Sequence, residues 1–277
     1  MDQADTADMK GHRPAEPGRA PLDPDRPRAA EVRDIGEADI RFALARGWED
    51  FQALRGDFLF LPVVYAALGF AASAIAFQQT LFALIFPLAG GFALVGPIAA
   101  AGFYELARRR GQGLDTSWFH FFDPMRGPQR FPLLMLSIVL AGLFLMWMAV
   151  AQGIYANTLG RLAPAGVADF LDKLATTPEG WTMIVAGNLA GLGFALASLV
   201  IGAFSFPMAV DKACDPFEAI LTSVAVFLHN PATMLRWGAV VAALLVAGSI
   251  PLFLGLMLVL PWLGYATWHL YTRAVVR

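Results

Sequence analysis

The sequence predicts an all-α, polytopic membrane protein with six transmembrane helices, arranged as three hairpins, and short interfacial helices. Of its 277 residues, 57% are hydrophobic and 15% are charged, whereas soluble domains average roughly 45–50% apolar and 25% charged residues. The apolar residues also collect in five long blocks. Because so much apolar surface cannot be covered inside one small domain, part of it is expected to face lipid.

The first 57 residues show two different patterns. Residues 1–35 hold five prolines among charged groups and few large apolar side chains, which predicts a disordered cytoplasmic tail. In residues 36–57, Ile40, Leu44 and Trp48 recur at helical spacing, which predicts an amphipathic helix. That helix could lie in the membrane interface with Trp48 at headgroup depth, or it could pack on the protein's own cytosolic loops.

Residues 58–277 form the predicted transmembrane domain. Four of the apolar blocks reach the ~20 residues needed to cross the hydrocarbon core. The fifth, Met234–Tyr271, would be roughly 57 Å long as one helix, so it must turn back, and Gly248, Ser249 and Pro251 predict the turn. The predicted spans are therefore 58–77, 81–106, 131–155, 181–208, 234–249 and 251–271.

Charge placement predicts the orientation. With six spans and the N-terminus inside, the outer loops carry only Arg161 and Lys173 of the 20 Lys and Arg residues. Because basic residues favour the cytoplasmic side, both termini are predicted to be cytoplasmic. A five-span alternative would leave Arg273 and Arg277 outside.

Two segments of the chain resemble one another. Pro87–Arg109 and Pro251–Arg273 share eight identical positions in 23, including two prolines ten residues apart. Each predicts an apolar helix that is kinked, at Pro97 or Pro261, because proline removes an amide donor and crowds the preceding turn. Pro207 is expected to break the fourth span in the same way.

Four polar residues are candidates for function, since ionisable and polar groups inside spans are costly. Glu105 and His269 hold equivalent positions in the two repeat segments. If the two helices pack side by side, this pair could relay a proton or simply hold the helices together. Asn188, which follows Gly187, could join helices or bind a substrate, and Asp211 could cap a turn or line an inner cavity.

The sequence contains no catalytic motif, metal-ligand set or cofactor fingerprint. A single cysteine, Cys214, excludes an internal disulfide. The basic run Arg108-Arg109-Arg110 is interpreted as headgroup contacts rather than a nucleic-acid site. We therefore expect no cofactor, and we expect the lipid bilayer and other membrane proteins as partners.

Between the spans, Asp215-Pro216-Phe217-Glu218 predicts a helix start, and that helix should stop at Asn230-Pro231.

Several short motifs carry a family resemblance. They are Gly47-Trp48-Glu49-Asp50-Phe51, Gly96-Pro97, Tyr104-Glu105-Leu106-Ala107-Arg108, Ser205-Phe206-Pro207-Met208, Ala219-Ile220-Leu221-Thr222-Ser223, Asn230-Pro231 and the ending from Phe253 to Tyr271. Together they resemble a bacterial integral membrane family catalogued as domain of unknown function 2189, over about 40–275. The resemblance implies a multispan protein of the bacterial inner membrane and assigns it no activity.

Two classes of function remain. The first is a non-enzymatic accessory or assembly factor for membrane components, suggested by the missing catalytic motif and the interfacial helices. The second is a carrier of a small molecule or lipid, suggested by the proline-broken helices and the repeat. An intramembrane enzyme is a remote third, because no nucleophile and base can be assembled from the polar groups present.

Overall fold

The computed structural model describes residues 29–54, 100–212, 214–251 and 254–276. The described residues are helical apart from turns, short connections and one isolated β-bridge, which confirms the all-α class. The helices are α1 (Glu37–Leu54), α2 (described over 100–111), α3 (Asp123–Arg126), α4 (Arg130–Asn157), α5 (Val167–Thr176), α6 (Pro178–Gly202), α7 (Ser205–Asp211), α8 (Pro216–His229), α9 (Pro231–Ser249) and α10 (Leu256–Ala274).

Three helices among the described residues are long and apolar enough to cross a membrane. They are α4, α6 continued into α7, and α9, and they correspond to the predicted spans 131–155, 181–208 and 234–249. The predicted span 58–77, residues 81–99 of the next span and the predicted kink at Pro97 lie outside the described residues. Neighbouring spans α4 and α6 pack against each other, while Leu134, Leu145 and Leu189 are exposed on their outer surfaces, as suits contact with lipid.

The predicted sixth span, 251–271, differs from these three. A turn follows Ser249, as predicted, and the chain continues as α10. Most of α10 from Val259 onwards is buried by other parts of the protein. Its sequence explains the difference, because Thr267, His269 and Arg273 make it more polar than the other spans. Thr267 donates to a carbonyl of its own helix, whereas His269 and Arg273 bond aspartates of α1.

Two of the three predicted kink positions lie in described helices. The helix that spans Pro178–Asp211 is interrupted at Ala203 and Phe204. Ala203 lies four residues before Pro207, where a proline ring crowds the helix carbonyl. Pro261, in contrast, lies inside α10, which continues through it.

The short helix α8 forms as its end signals predict. The Asp215 carboxylate accepts a hydrogen bond from the Phe217 amide at 2.8 Å, and Pro216 occupies the first turn, where no amide donor is needed. The helix ends at His229, immediately before Asn230-Pro231. Both ends of α8 are therefore set by local sequence, and the prediction is confirmed.

Helix α1 packs against α10 of the same chain. The two run antiparallel, with Asp39 at Arg273, Gly47 at Ala266 and Trp48 at Trp262. A Cβ atom on Gly47 would lie 2.6 Å from the Ala266 amide nitrogen, so only glycine allows the helices to come this close. The face of α1 that carries Gly47 therefore packs against the protein itself.

An ion pair fastens the start of α1 to the end of α10. The Nε of Arg273 donates to Oδ1 of Asp39 at 2.8 Å. Burial favours the neutral form of Asp39, but the Gly36 amide and the Arg273 guanidinium outweigh it and lower the pKa of this carboxyl below its ordinary value. The pair is therefore charged at neutral pH.

Residues 29–35, the end of the predicted tail, are ordered against the rest of the protein. Val32 and Val275 form an antiparallel bridge, with the Arg33 amide donating to the Ala274 carbonyl at 2.8 Å. The Asn230 side chain accepts from the Ile35 amide and donates to the Arg33 carbonyl, each at 3.0 Å. These partners lie between 195 and 243 residues away in the sequence, so the local composition of the tail could not reveal them.

The described part of the first repeat segment, residues 100–109, packs beside the second segment in α10. A Cβ atom on Gly264 in α10 would lie 2.8 Å from the Phe103 Cβ in α2. The ring of Phe103 also meets Tyr265 edge-on, with centroids 5.5 Å apart. All three residues belong to the main buried core or its border, which brings the polar ends of α2 and α10 into the same region.

We expect Gly47→Ala to loosen α1 from α10. The added methyl group meets backbone atoms of Ala266, which cannot move as a side chain can, so we expect a loss of about 1–3 kcal/mol of unfolding free energy. Thermal unfolding in detergent measures it, and faster trypsin cleavage after Arg41 and Arg46 should accompany it.

The matched control is Gly36→Ala, since a Cβ atom there meets nothing within 4 Å. Its stability should stay within about 0.5 kcal/mol of the wild type. Equal unfolding free energies and equal trypsin cleavage rates of the two variants would contradict the close α1–α10 contact.

Candidate functional site

Glu105 is neutralised by arginines of its own helix. Its side chain is only 4% exposed, and Arg108 donates to both carboxylate oxygens, at 2.8 Å from Nε and 2.6 Å from Nη2. Arg109 lies 3.6 Å away. The spacings of three and four residues put these groups on one helix face, and the two-point contact is the strong form of such a pair. The hydrogen bond to Glu105 raises the pKa of Arg108 above its usual range, and the charge of Asp211 adds to this.

His269 is hydrogen-bonded to an aspartate of α1. Its Nε2 lies 2.7 Å from Oδ2 of Asp50, and the other oxygen of Asp50 lies 3.2 Å from Nη1 of Arg110. The Asp50 side chain is 9% exposed. One buried carboxylate thus bridges an imidazole on α10 and a guanidinium on α2, which compensates the cost of burying its charge.

Glu105 and His269 therefore do not form the pair that their equivalent positions predicted. Each side chain has a different partner, Arg108 for Glu105 and Asp50 for His269. The helices pack side by side, as the repeat implied, but an aspartate from outside the repeat takes the imidazole. The geometry offers no direct proton transfer between the two groups.

Asp50 was not among the four polar candidates that the sequence predicted. The signal was present in α1, where Gly47, Asp50 and Phe51 are all buried. Positions 47, 50 and 51 share a helix face, so the sequence placed an acidic residue on the apolar side. A charged residue on such a face predicts a buried partner of opposite charge.

The other two candidates lie apart from this pairing. Asp211, the last residue of α7, accepts a hydrogen bond from the Tyr271 hydroxyl at 3.0 Å, so it links α7 to α10. Asn188 is exposed on α6, and its Nδ2 donates to the Ile184 carbonyl of the same helix at 2.7 Å. The structure thus brings Asp211 towards α10 and leaves Asn188 on the outer surface.

A second histidine lies between two carboxylates beside α2. His120 Nδ1 is 2.6 Å from Oδ2 of Asp123, and its Nε2 is 3.1 Å from Oδ2 of Asp115. Arg109 also reaches Asp123, at 3.2 Å. The Ser117 amide and then His120 lower the pKa of Asp115 below its ordinary value. Sequence patterns did not predict this cluster, because a turn, rather than a regular spacing, assembles it.

The arginine run Arg108-Arg109-Arg110 is committed to carboxylates of its own chain, at Glu105, Asp123 and Asp50. Their ion pairs are therefore made within the protein, and contact of these three residues with lipid headgroups stays a prediction. Together the pairs join α1, α2, α10 and the turn at 115–123 into one ionic network. No group of three or more His, Cys, Asp and Glu in the described part of the chain is arranged to hold a metal ion.

Comparison with known proteins agrees with the membrane character of the helices. The model of a family described as "Predicted integral membrane protein (DUF2189)" matches residues 85–211. The resemblance drawn from the motifs is thus confirmed over this range, which includes Glu105, His120 and Asp211 but neither Asp50 nor His269. The chain matches none of the curated proteins and none of the solved structures.

We expect double-mutant cycles to show that His269 is coupled energetically to Asp50 and not to Glu105. Asp50→Ala removes the partner of both His269 and Arg110 and should lower the unfolding free energy by about 2 kcal/mol. Combined with His269→Ala, it should show a coupling energy of at least ~0.5 kcal/mol, because the two side chains share a hydrogen bond.

Glu105→Ala with His269→Ala serves as the contrasting cycle. These side chains share no partner, so their effects should add within about 0.5 kcal/mol. Thermal or denaturant unfolding in detergent provides the values. Strong coupling of Glu105 with His269, but not of Asp50 with His269, would contradict the described network.

Proposed function

Because the chain is an integral membrane protein, we propose that it serves as a non-enzymatic accessory or assembly factor for other membrane components of the bacterial inner membrane. The observation that carries the proposal is that the interior polar groups are paired with each other. Glu105 binds Arg108, Asp50 binds His269 and Arg110, and Asp211 binds Tyr271. No buried side-chain nitrogen or oxygen in the described ranges lacks a hydrogen-bond partner.

A carrier for a polar cargo would use such groups differently. Ligand sites present a few convergent polar groups to a cavity, and a carrier must expose them to its cargo. The groups in this network are occupied by one another. Pairing of this kind holds helices in fixed positions, which supports a scaffold for other proteins rather than a route for a solute.

The outer surface of α6 supports contact with another membrane protein. Asn188 is exposed among Trp181, Val185, Leu189 and Leu192, which are also exposed. Its Nδ2 bonds its own helix, and its remaining amide hydrogen-bonding capacity would be costly in lipid. A helix of a partner protein that supplies a donor or acceptor there would remove this cost.

Six spans in three hairpins, with both termini in the cytoplasm, belong to the same proposal. The loop between α4 and α6 holds Arg161 and Lys173, the only basic residues assigned to the outside. The pairing of residues 31–33 with 274–276 supports N-terminal and C-terminal segments on one side of the membrane. The basic residues near both ends favour the cytoplasmic side.

Cysteine labelling tests this topology, with Cys214→Ser as the background that removes the natural thiol. In intact cells, a membrane-impermeant maleimide should label Gln79→Cys and Asp172→Cys, since the proposal puts both loops outside. Thr116→Cys should be labelled only after the membrane is permeabilised. Protection of Gln79→Cys in intact cells would contradict the first hairpin.

Copurification tests the accessory role. After gentle detergent extraction, the wild-type protein should retain a reproducible set of other membrane proteins. Asn188→Leu should retain them about fivefold less well, because a lost interhelical hydrogen bond is worth about 1 kcal/mol. The control is Asn157→Leu, which changes the same residue type at the outer end of α4, where Arg161 already binds it.

A wild-type protein that purifies without partners, and that drives uptake of a solute into liposomes, would overturn the accessory role in favour of a carrier. Equal retention by Asn188→Leu and wild type would remove α6 as the contact surface.

A further inference from the structure

An apolar groove opens where α4 begins. Its volume is about 390 Å³, and its lining includes Ala101, Arg130, Leu133, Leu134, Ser137 and Phe206. Met125 and Phe131 also line it, so among the described residues α2, α3, α4 and α7 all contribute to its walls. The volume falls within the range of roughly 300–1,000 Å³ that small-molecule sites occupy. None of the four candidate polar residues lies in its lining, so the groove is separate from the ionic network.

Among the described residues that line the groove, Arg130 is the charged one. Ser137 donates its hydroxyl to the Leu133 carbonyl at 2.6 Å, which satisfies it within the helix. Arg130 is exposed, and its side chain makes no hydrogen bond or ion pair with the part of the chain that the structure describes. In this it differs from Arg108, Arg109 and Arg110, whose guanidinium groups are all paired.

The nearest carboxylates in sequence do not neutralise this charge. Asp123, on α3, is held by His120 and Arg109. Arg126, the last residue of α3, is also exposed and adds a second positive charge four residues before Arg130. The start of α4 is therefore basic at the point where the apolar lining of the groove begins.

We propose that this groove binds one anionic phospholipid, with its phosphate on Arg130 and part of an acyl chain along Leu133, Leu134 and Phe206. A lipid is the expected ligand because the groove combines a guanidinium group with apolar walls. A guanidinium recognises phosphate, but a free phosphate would leave the apolar walls uncovered, whereas an acyl chain covers them. Arg130 is the first residue of a candidate span, which is where a lipid headgroup meets a transmembrane helix.

This site does not depend on the accessory role. A lipid bound in the groove would contact α2, α3, α4 and α7 together and would hold them against one another. The same contact would occur in a scaffold or in a carrier, so the two proposals can fail separately.

Binding can be measured on the purified full-length protein in detergent. Native mass spectrometry counts bound lipid, and thermal unfolding gives the stabilisation, with phosphatidylglycerol, phosphatidylcholine and inorganic phosphate as separate probes. We expect one tightly retained phosphatidylglycerol, a smaller effect of phosphatidylcholine and no effect of inorganic phosphate. Stabilisation by inorganic phosphate equal to that by phosphatidylglycerol would assign the site to free phosphate and overturn the proposal.

Two variants test the two contacts of the lipid, that of its phosphate and that of its acyl chain. Arg130→Gln should weaken phosphatidylglycerol binding about fivefold, as expected for one basic residue at a membrane surface, and bring it close to that of phosphatidylcholine. Ser137→Phe should fill the groove and weaken both lipids. The control Arg236→Gln removes an exposed arginine of α9 that does not line the groove and should bind as the wild type does.

Equal binding of phosphatidylglycerol by wild type, Arg130→Gln and Ser137→Phe would overturn the site. If a variant fails to fold, the wild-type preference for phosphatidylglycerol over phosphatidylcholine still decides the matter, because equal binding of both lipids contradicts a role for the Arg130 charge.

Discussion

The close contact between α1 and α10 determines the arrangement of the inner part of this protein. At Gly47 the two helices approach so closely that no side chain fits between them. This approach lets Asp50 reach both His269 and Arg110, and a buried carboxylate is tolerated only when such partners are present. The packing and the ion pairs therefore depend on one another. An apolar residue at position 50 would leave Arg110 without this partner, and a larger residue at position 47 would move the carboxylate away from His269.

The described residues divide into two regions with different chemistry. Along α4 and α6, large apolar side chains such as Leu145 and Leu189 remain exposed, and the polar side chains of Ser137 and Asn188 bond their own helices. Around α1 and α10, side chains from different helices bond one another. The difference follows from the surroundings, because a helix in hydrocarbon must satisfy its polar groups locally, whereas a region partly open to water can hold charged pairs between elements.

Local patterns predicted what depends on local sequence. Apolar length predicted the spans that α4, α6 and α9 form, and the signals at Asp215 and Asn230 predicted both ends of α8. The partners of Glu105 and His269 could not be predicted. The repeat relates positions in two segments only, whereas Asp50, the partner of His269, lies in α1, outside both. The ordered packing of residues 29–35 could not be predicted either, since the groups that bind them, such as Asn230, lie far along the chain.

The position of Asp50 has a consequence for how the protein is made. Its partner His269 lies 219 residues later in the sequence. At translation rates of about 5–20 residues per second, that separation corresponds to roughly 10–45 s. During this interval α1 has left the ribosome while the helix it packs on does not yet exist. A segment that is synthesised later therefore completes the packing of α1, and a ribosome that stops before α10 leaves Asp50 without its imidazole partner.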